Sequence, residues 1–400
     1  MSEKAGKQMR LSGTNLERAG DHNQRVTLHA IRVNGPITRA ELVQITGLTA
    51  PAIANITKRL LTDRLIQEAG RRRGGRGQPA TKLVINPDAW YSIGLNVDRD
   101  HITMVVLDFE GRVRARASSE VAFAMPKDVE QFFCKGVGKL LAKVGIAHDR
   151  VAGIGVALPD DMPKAVTLPH QPADYGIWAT TDVASLLTGV IDAPVFVEND
   201  AAAATMGEMQ FGLGKKHQTF FYILITAALG GSLVIDGNHY RGATGRSGEL
   251  GLLRGCDASG QERQIQNIVS LSALYSRLAA QGIRIAAPHD LVELDEKGKA
   301  VVDAWVEASV DTLVDTLLSI NCLVNPEAVL IGGRLPGNLV DQLAARLNQR
   351  LEAFAGKVPA IAPVARAALS DDAPAVGAAI LPFTHRLLPT RTALMKVAAR

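Results

Sequence analysis

The stretch Glu198-Asn199-Asp200 holds the residues best placed to do chemistry in this chain. It follows the apolar Val195-Phe196-Val197 and precedes Ala201-Ala202-Ala203-Ala204. That order reads as a buried strand delivering polar side chains at its carboxyl end, where a helix begins. In an open α/β sheet, ligands collect at such a point. Asp200 is there a candidate general base or a candidate hydrogen-bond acceptor for a bound ligand. The plain alternative is that Asn199 and Asp200 cap the helix starting at Ala201, a role compatible with a place in a pocket.

A second chemistry lies near the N-terminus. Residues 1–90 hold 15 Lys and Arg against 7 Asp and Glu, leaving 29 against 33 for the rest of the chain. A basic module on an acidic body suggests a polyanion-binding head on a separate sensor or enzyme. Within it, residues 23–33 fit a short helix carrying Val26, Leu28, Ala30, Ile31 and Val33, stopped by Asn34-Gly35-Pro36. Thr38-Arg39-Ala40-Glu41 is a capping box that starts a second helix through Leu42, Val43 and Ile45. After the turn Thr46-Gly47-Leu48, Thr49 caps a third helix to Leu61, with Ile53, Ile56 and Leu60 inward. Two short helices around a glycine turn form a helix-turn-helix. The second would present Thr49, Ala50, Pro51, Ala52, Asn55, Lys58 and Arg59 to base edges and phosphates. Arg71-Arg72-Arg73-Gly74-Gly75-Arg76-Gly77-Gln78-Pro79 reads as the tip of a hairpin wing. Arg73, Arg76 and Gln78, on a slim glycine-flanked backbone, suit a narrow minor groove. A protein-binding winged helix and a solvated basic linker are the alternatives.

The elements that must carry Asp200 alternate between strand and helix. Residues 90–98 and 102–108 read as paired strands, 126–144 as a helix, 151–157 as a buried strand and 181–187 as a helix. Strands at 219–227 and 232–236 precede the glycine-rich Arg241–Gly251 segment, and helices follow at 267–281 and 299–323. Such alternation implies an α/β sheet. Residues 310–324 offer an apolar face for dimerisation or for the core. Cys134, Cys256 and Cys322 lie far apart, without metal-ligand spacing, which fits a reducing compartment. The polar N-terminus lacks a signal core, and Gly230-Gly231-Ser232 breaks the most apolar stretch, Phe220–Ile235. The expectation is a cytoplasmic protein with no membrane contact.

Taken in order, these pieces resemble the ROK family of bacterial sugar-responsive repressors and sugar kinases, and its repressor branch in particular. The resemblance covers residues 20–385. It is carried by Thr38–Leu65 with the Arg76-Gly77-Gln78-Pro79 wing, Gly153-Ile154-Gly155-Val156, Glu198-Asn199-Asp200, Gly248-Glu249-Leu250-Gly251, Asn325-Pro326 with Gly332-Gly333, and Gly377-Ala378-Ala379. It implies an α/β chain with an N-terminal winged helix-turn-helix followed by a two-lobed actin-like (ribonuclease H-like) domain, a sugar cleft between the lobes, and a homodimer or homotetramer. The implied organisation is a flexible N-terminus at 1–20, a DNA-binding domain at 21–88 and a sugar-binding domain at 89–400. Lobe one takes about 89–200 with the C-terminal helix 373–390, and lobe two about 201–372.

The family's kinases hold ATP phosphates on two glycine-rich turns. Here the first aligns with Asn96, Asp98, Arg99 and Asp100, both glycines lost and two carboxylates facing the phosphate position. The second falls on Thr226-Ala227-Ala228-Leu229-Gly230 and keeps only its last glycine. Like charges beside a triphosphate are costly, so the expectation is no enzyme, although the kinases use the position of Asp200 as general base. Asn199, Asp200 and Glu249 instead suit the vicinal hydroxyls of a sugar or polyol. His170 is a further candidate for the same cleft, with a surface or core histidine as the alternative. Leu252 replaces a family histidine, Gln266 stands near a sugar-contacting glutamate position, and a zinc loop has shrunk to Cys256 alone, so no cofactor is expected. The reading is a sugar-responsive repressor of carbohydrate genes that binds double-stranded operator DNA. A bifunctional ATP-dependent sugar kinase and a constitutive DNA-binding protein with a vestigial cleft are the alternatives.

Overall fold

The structure, a computed structural model, describes residues 16–71, 80–160, 162, 171–256, 260–369 and 371–388. These fall into two compact units. The first comprises the described residues up to Tyr91, Asp108–Arg112 and the described residues from Phe383 on; the second is Ser92–Leu107 with Val113–Pro382.

The first unit begins with α1 (Leu16–Asn34), β1 (Ile37–Thr38), α2 (Arg39–Thr46) and α3 (Ala50–Thr62), then the hairpin β2 (Ile66–Arg71) and β3 (Thr81–Ile85). The three strands pair in the order β1-β3-β2. The capping box is formed: the Glu41 amide donates to Thr38 Oγ1 at 3.3 Å, and the Thr38 amide donates to Glu41 Oε2 at 2.8 Å. Gly47, at φ 69°, supplies the left-handed residue that ends α2. Leu28, Ile31, Leu42, Ile53, Leu60 and Leu83 close the core and are nearly inaccessible. One expectation is corrected here: the first helix starts at Leu16 rather than Asn23. Val33 and Ile45 face solvent, at 59% and 53% exposure.

In the second unit two sheets share one topology. The first, of order β6-β5-β4-β7-β8, contains β4 (Tyr91–Val97), β5 (His101–Asp108), β6 (Val113–Glu120), β7 (Val151–Leu158) and β8 (Val195–Asn199). Helices α4 (Pro126–Lys143), α5 (Val183–Leu186) and α6 (Asp200–Phe211) intervene or follow. The second, of order β11-β10-β9-β14-β15, contains β9 (Phe220–Ile225), β10 (Leu229–Ile235), β11 (Asn238–His239), β14 (Ala328–Gly333) and β15 (Val364–Arg366). Between them run the small hairpin β12 (Arg254–Cys256) and β13 (Glu262–Gln264), and α7 (Leu271–Ala280), α8 (Glu296–Leu323), α9 (Gly337–Glu352) and α10 (Ala373–Arg386) complete the chain. In each sheet an antiparallel edge leads to parallel strands: β5 runs against β6 and β7 along β8, while β9 runs against β10 and along β14.

Helix α8 lies in the core of the second lobe. Val310, Leu313 and Leu317 are fully buried there beside Trp305, whose indole N–H donates to the Ile268 carbonyl at 2.8 Å. The apolar face of residues 310–324 is therefore core, and Leu323 is its one strongly exposed large side chain, at 86%.

The small residues of α10 pack backbone against backbone. A Cβ on Gly377 would lie 1.6 Å from the Ala203 carbonyl oxygen of α6, and one on Gly155 of β7 would lie 1.8 Å from that of Ala378. Ser92 Oγ of β4 adds a 2.5 Å bond to the Ala379 carbonyl. This close approach sets how α6, the helix that carries Asp200, sits on its sheet.

Candidate functional site

Strand β8 is the edge of its sheet, and Val197 is 49% exposed, so the expectation of a buried strand is corrected. Its carboxyl end still delivers polar side chains to a helix start. Asn199 Oδ1 caps α6 by accepting from the Ala202 amide at 3.0 Å, which leaves its amide nitrogen as a donor. Asp200 Oδ1 accepts from the Ala201 amide at 2.8 Å. Capping and pocket roles thus coexist. Glu198 spends its carboxylate differently, pairing with Arg241 and accepting from the Asn199 amide.

Asn199, Asp200 and Glu249 come together on the wall of one narrow, open cleft. Thr226, Leu252 and Gln266 line it as well, so the position expected to replace a sugar-contacting glutamate does reach the cleft. An adjoining recess adds Ser232, His239 and Ser247. His239 Nε2 lies 3.0 Å from Ser232 Oγ, and burial lowers its pKa, which keeps the ring neutral. Glu249 is held by Arg246, whose Nε donates to Glu249 Oε1 at 2.8 Å and lies 3.6 Å from Asp160. His170 lies outside the described residues.

Asp200 is 8% exposed. Burial, and after it the charge of Asp98, push its carboxyl up to about 7, against the Ala201 amide and Arg99, which pull it down. Near neutrality this group therefore both donates and accepts hydrogen bonds, which suits a hydroxyl ligand.

The turn between β4 and β5 differs from the sequence expectation. Asp100 does not stand as a bare carboxylate, whereas Asp98 keeps one buried oxygen, Oδ2, without a hydrogen-bond partner. Asp98 is 1% exposed, its Oδ1 accepts from the Arg99 amide at 2.7 Å, and its own amide donates to the His101 carbonyl at 3.0 Å. Asp100 lies 3.1 Å from His101 Nδ1 and 3.2 Å from Arg334, which also pairs with Glu120. Burial pushes the Asp100 carboxyl up, but His101 and Arg334 outweigh it and hold it below the usual range. Asp98, Asp100 and His101 are the one group of metal-capable side chains found among the described residues, with Arg99 and Arg334 balancing its charge. Sequence reasoning missed Arg334 because its partner lies 234 residues away. The amides of Asp98 and Arg99, which a phosphate-binding turn would offer to its ligand, are spent inside this one.

On the first unit, Thr49, Ala50, Pro51, Asn55, Lys58 and Arg59 are exposed and Ala52 half-buried along α3. Thr49 Oγ1 accepts from the Ala52 amide at 3.4 Å, and the pattern of exposure leaves one face of the helix free for a groove. Of the wing residues, Arg73, Arg76 and Gln78 lie outside the described residues.

Comparison with known proteins supplies the context. The ROK family model matches residues 92–384. The xylose repressor of Bacillus subtilis is 24% identical over 374 residues, covering 91% of this chain and 96% of that protein. Among solved structures, a ROK family transcriptional regulator, a homologue of the Escherichia coli Mlc protein, matches with TM-score 0.66 at 20% identity, over 91% of this chain and 96% of that one. A ROK family glucokinase from Streptomyces griseus in complex with glucose and AMPPNP matches with TM-score 0.56 at 22% identity, over 73% of this chain and 98% of its own. The fold is thus a winged head followed by the actin-like two-lobed domain shared with ROK sugar kinases.

Proposed function

We propose that this chain, which belongs to the ROK family, is a sugar-responsive, DNA-binding transcriptional repressor that does not phosphorylate its ligand. The observation that carries the reading is the closed turn at Asp98–His101, in which the Asp98 and Arg99 amides are bonded within the turn and Asp100 pairs with His101 and Arg334. A cleft that pairs a wall of Asn199, Asp200 and Glu249 with a turn lacking the glycines of a triphosphate cradle suits sensing better than phosphoryl transfer. Asp200 then serves as a hydroxyl clamp with no phosphoryl acceptor step to promote.

The head supports the DNA half of the reading. Asn55, Lys58 and Arg59 of α3 would meet base edges and phosphates, with Arg73, Arg76 and Gln78 of the wing as further contacts. The full length of the similarity to a xylose repressor agrees with this. In the proposed assembly a homodimer places two heads on a palindromic operator. The effector shifts the balance between DNA-competent and DNA-incompetent states, so its affinity must differ between free and operator-bound protein.

No metal enters the scheme. Cys256 is the single thiol of the β12–β13 hairpin, and one thiolate does not make a tetrahedral zinc site. That hairpin is held by three cross-strand pairs and an exposed Arg254–Glu262 ion pair at 2.9 Å. Among the described residues no helix is long and apolar enough to cross a membrane. The reading is tested by incubating the full chain with ATP, magnesium and a panel of pentoses and hexoses. It predicts operator-length DNA binding and no sugar-dependent ATP turnover; turnover abolished by Asp200→Asn would establish a kinase instead.

A further inference from the structure

Arg99 lines the same cavity as Asn199 and Asp200, and its side chain is 1% exposed. None of its three guanidinium nitrogens has a hydrogen-bond partner. The nearest carboxylate, Asp98, stands 3.9 Å from one of them, close enough to offset part of the charge but too far to accept a hydrogen bond. A buried guanidinium with five empty N–H donors is costly unless something fills them. Arg246, the other arginine on this wall, is already bound to Glu249 and faces Asp160. Arg99 is thus the cation with unspent donors among the described residues of the cavity.

The ligand chemistry follows from the group itself. A guanidinium presents a rigid planar fork that matches two oxygens of a carboxylate or phosphate, and such pairs are the strong hydrogen bonds of protein sites. A neutral hydroxyl fills one donor and leaves the charge uncompensated. The neighbouring Asp200 tolerates an anion because burial favours its protonated form up to about pH 7.

We propose that Arg99 forms an anion subsite in the cleft and that the effector is a sugar bearing a carboxylate or phosphate group. This rests on the sensor reading above and narrows its ligand from sugars in general to acidic sugars. Arg99 binds the anionic group bidentately, while Asn199, Asp200 and Glu249 take the hydroxyls.

The test is calorimetric titration of the full chain with matched sets: glucose, glucuronate and glucose 6-phosphate, and xylose with xylonate, with inorganic phosphate as a control. An acidic member should bind at least tenfold more tightly than its neutral parent, and the carboxylate and phosphate arms identify which anion the subsite takes. Arg99→Gln should lower affinity for that member by roughly 10- to 100-fold, the loss of one charge-assisted contact, and change affinity for the neutral parent by much less. Arg99→Lys, which keeps the charge but not the fork, should fall between the two and serves if the glutamine variant does not fold. A neutral sugar bound as tightly as its acid, or an acid preference that survives Arg99→Gln, would overturn the anion subsite and leave the sugar sensor standing. Absence of binding by every sugar would overturn both.

Discussion

Replacing Asp200 by Asn should make the protein more stable, and only above a certain pH. The carboxyl has an ordinary value of 3.8 and is pushed to about 7 in the folded chain, by burial first and then by the charge of Asp98. Below pH ~4 the group is protonated in folded and unfolded chains alike, and it costs nothing. As pH rises from ~4 to ~7 the unfolded chain releases the proton while the folded one retains it, so stability falls. Above pH ~7 the penalty is complete. At about 1.4 kcal/mol per tenfold change in proton affinity, it amounts to roughly 4 kcal/mol before relaxation of the surroundings. Asn keeps an oxygen for the Ala201 amide, now accepted at 2.8 Å, and carries no charge to bury. We expect Asp200→Asn to melt roughly 8–16 °C above the parent at pH 8, given about 2–4 °C per kcal/mol for a domain of this size class, and to converge with it near pH 4. Thermal melts at half-unit pH steps read this directly. A variant less stable than the parent at pH 8, or a gap that does not change with pH, would refute the burial argument. The same variant should lose affinity for its sugar, the usual exchange of function for stability at a strained site.

Other substitutions test other links. Glu208 is fully buried and accepts the amides of Leu213, Ala368 and Leu369 at 2.7, 2.8 and 3.0 Å, so Glu208→Ala should cost about 3 kcal/mol or more in a denaturant titration. Gly155→Val should prevent native folding, seen as loss of the cooperative melt, because its Cβ would meet the Ala378 carbonyl oxygen at 1.8 Å. Arg334→Met should loosen the two lobes by freeing Asp100 and Glu120, read as faster hydrogen exchange at 98–101. Lys58→Ala should weaken DNA binding and reduce the slope of log affinity against log salt by about 1, and an unchanged slope would take Lys58 off the phosphates.

The lobes were legible because their pattern is local. Strands at 90–98, 102–108 and 151–157 alternate with helices over short spans, and the glycines at 155 and 377 sit where helices touch sheets without side chains between them. Strand β6 went unread because Val113–Glu120 alternates Arg and Ser with small residues and buries little, and α9 went unread although Leu339, Leu343, Leu347 and Leu351 repeat at helical spacing. The one-turn α5 is shorter than the helix its composition suggested. In the cleft, Asn199 and Asp200 were legible from type and order, and Glu249 and Gln266 from the resemblance to the family. The acidic turn was misread because its compensation comes from far along the chain: Arg334 reaches back to Asp100 and Glu120. The unspent donors of Arg99 were illegible too, since a charge run of Asp98-Arg99-Asp100 looks self-neutralising until the geometry sets Asp98 3.9 Å away.

The central claim is that ligand in the cleft and DNA on the head are energetically coupled. Fluorescence anisotropy of a labelled fragment from upstream of the protein's own gene, titrated with full chain at fixed salt, tests it most directly. With a sugar shown to bind, DNA affinity should change at least tenfold, a coupling of about 1.4 kcal/mol, and Asp200→Asn should bind the DNA yet ignore the sugar. DNA affinity indifferent to every sugar that binds would contradict the account.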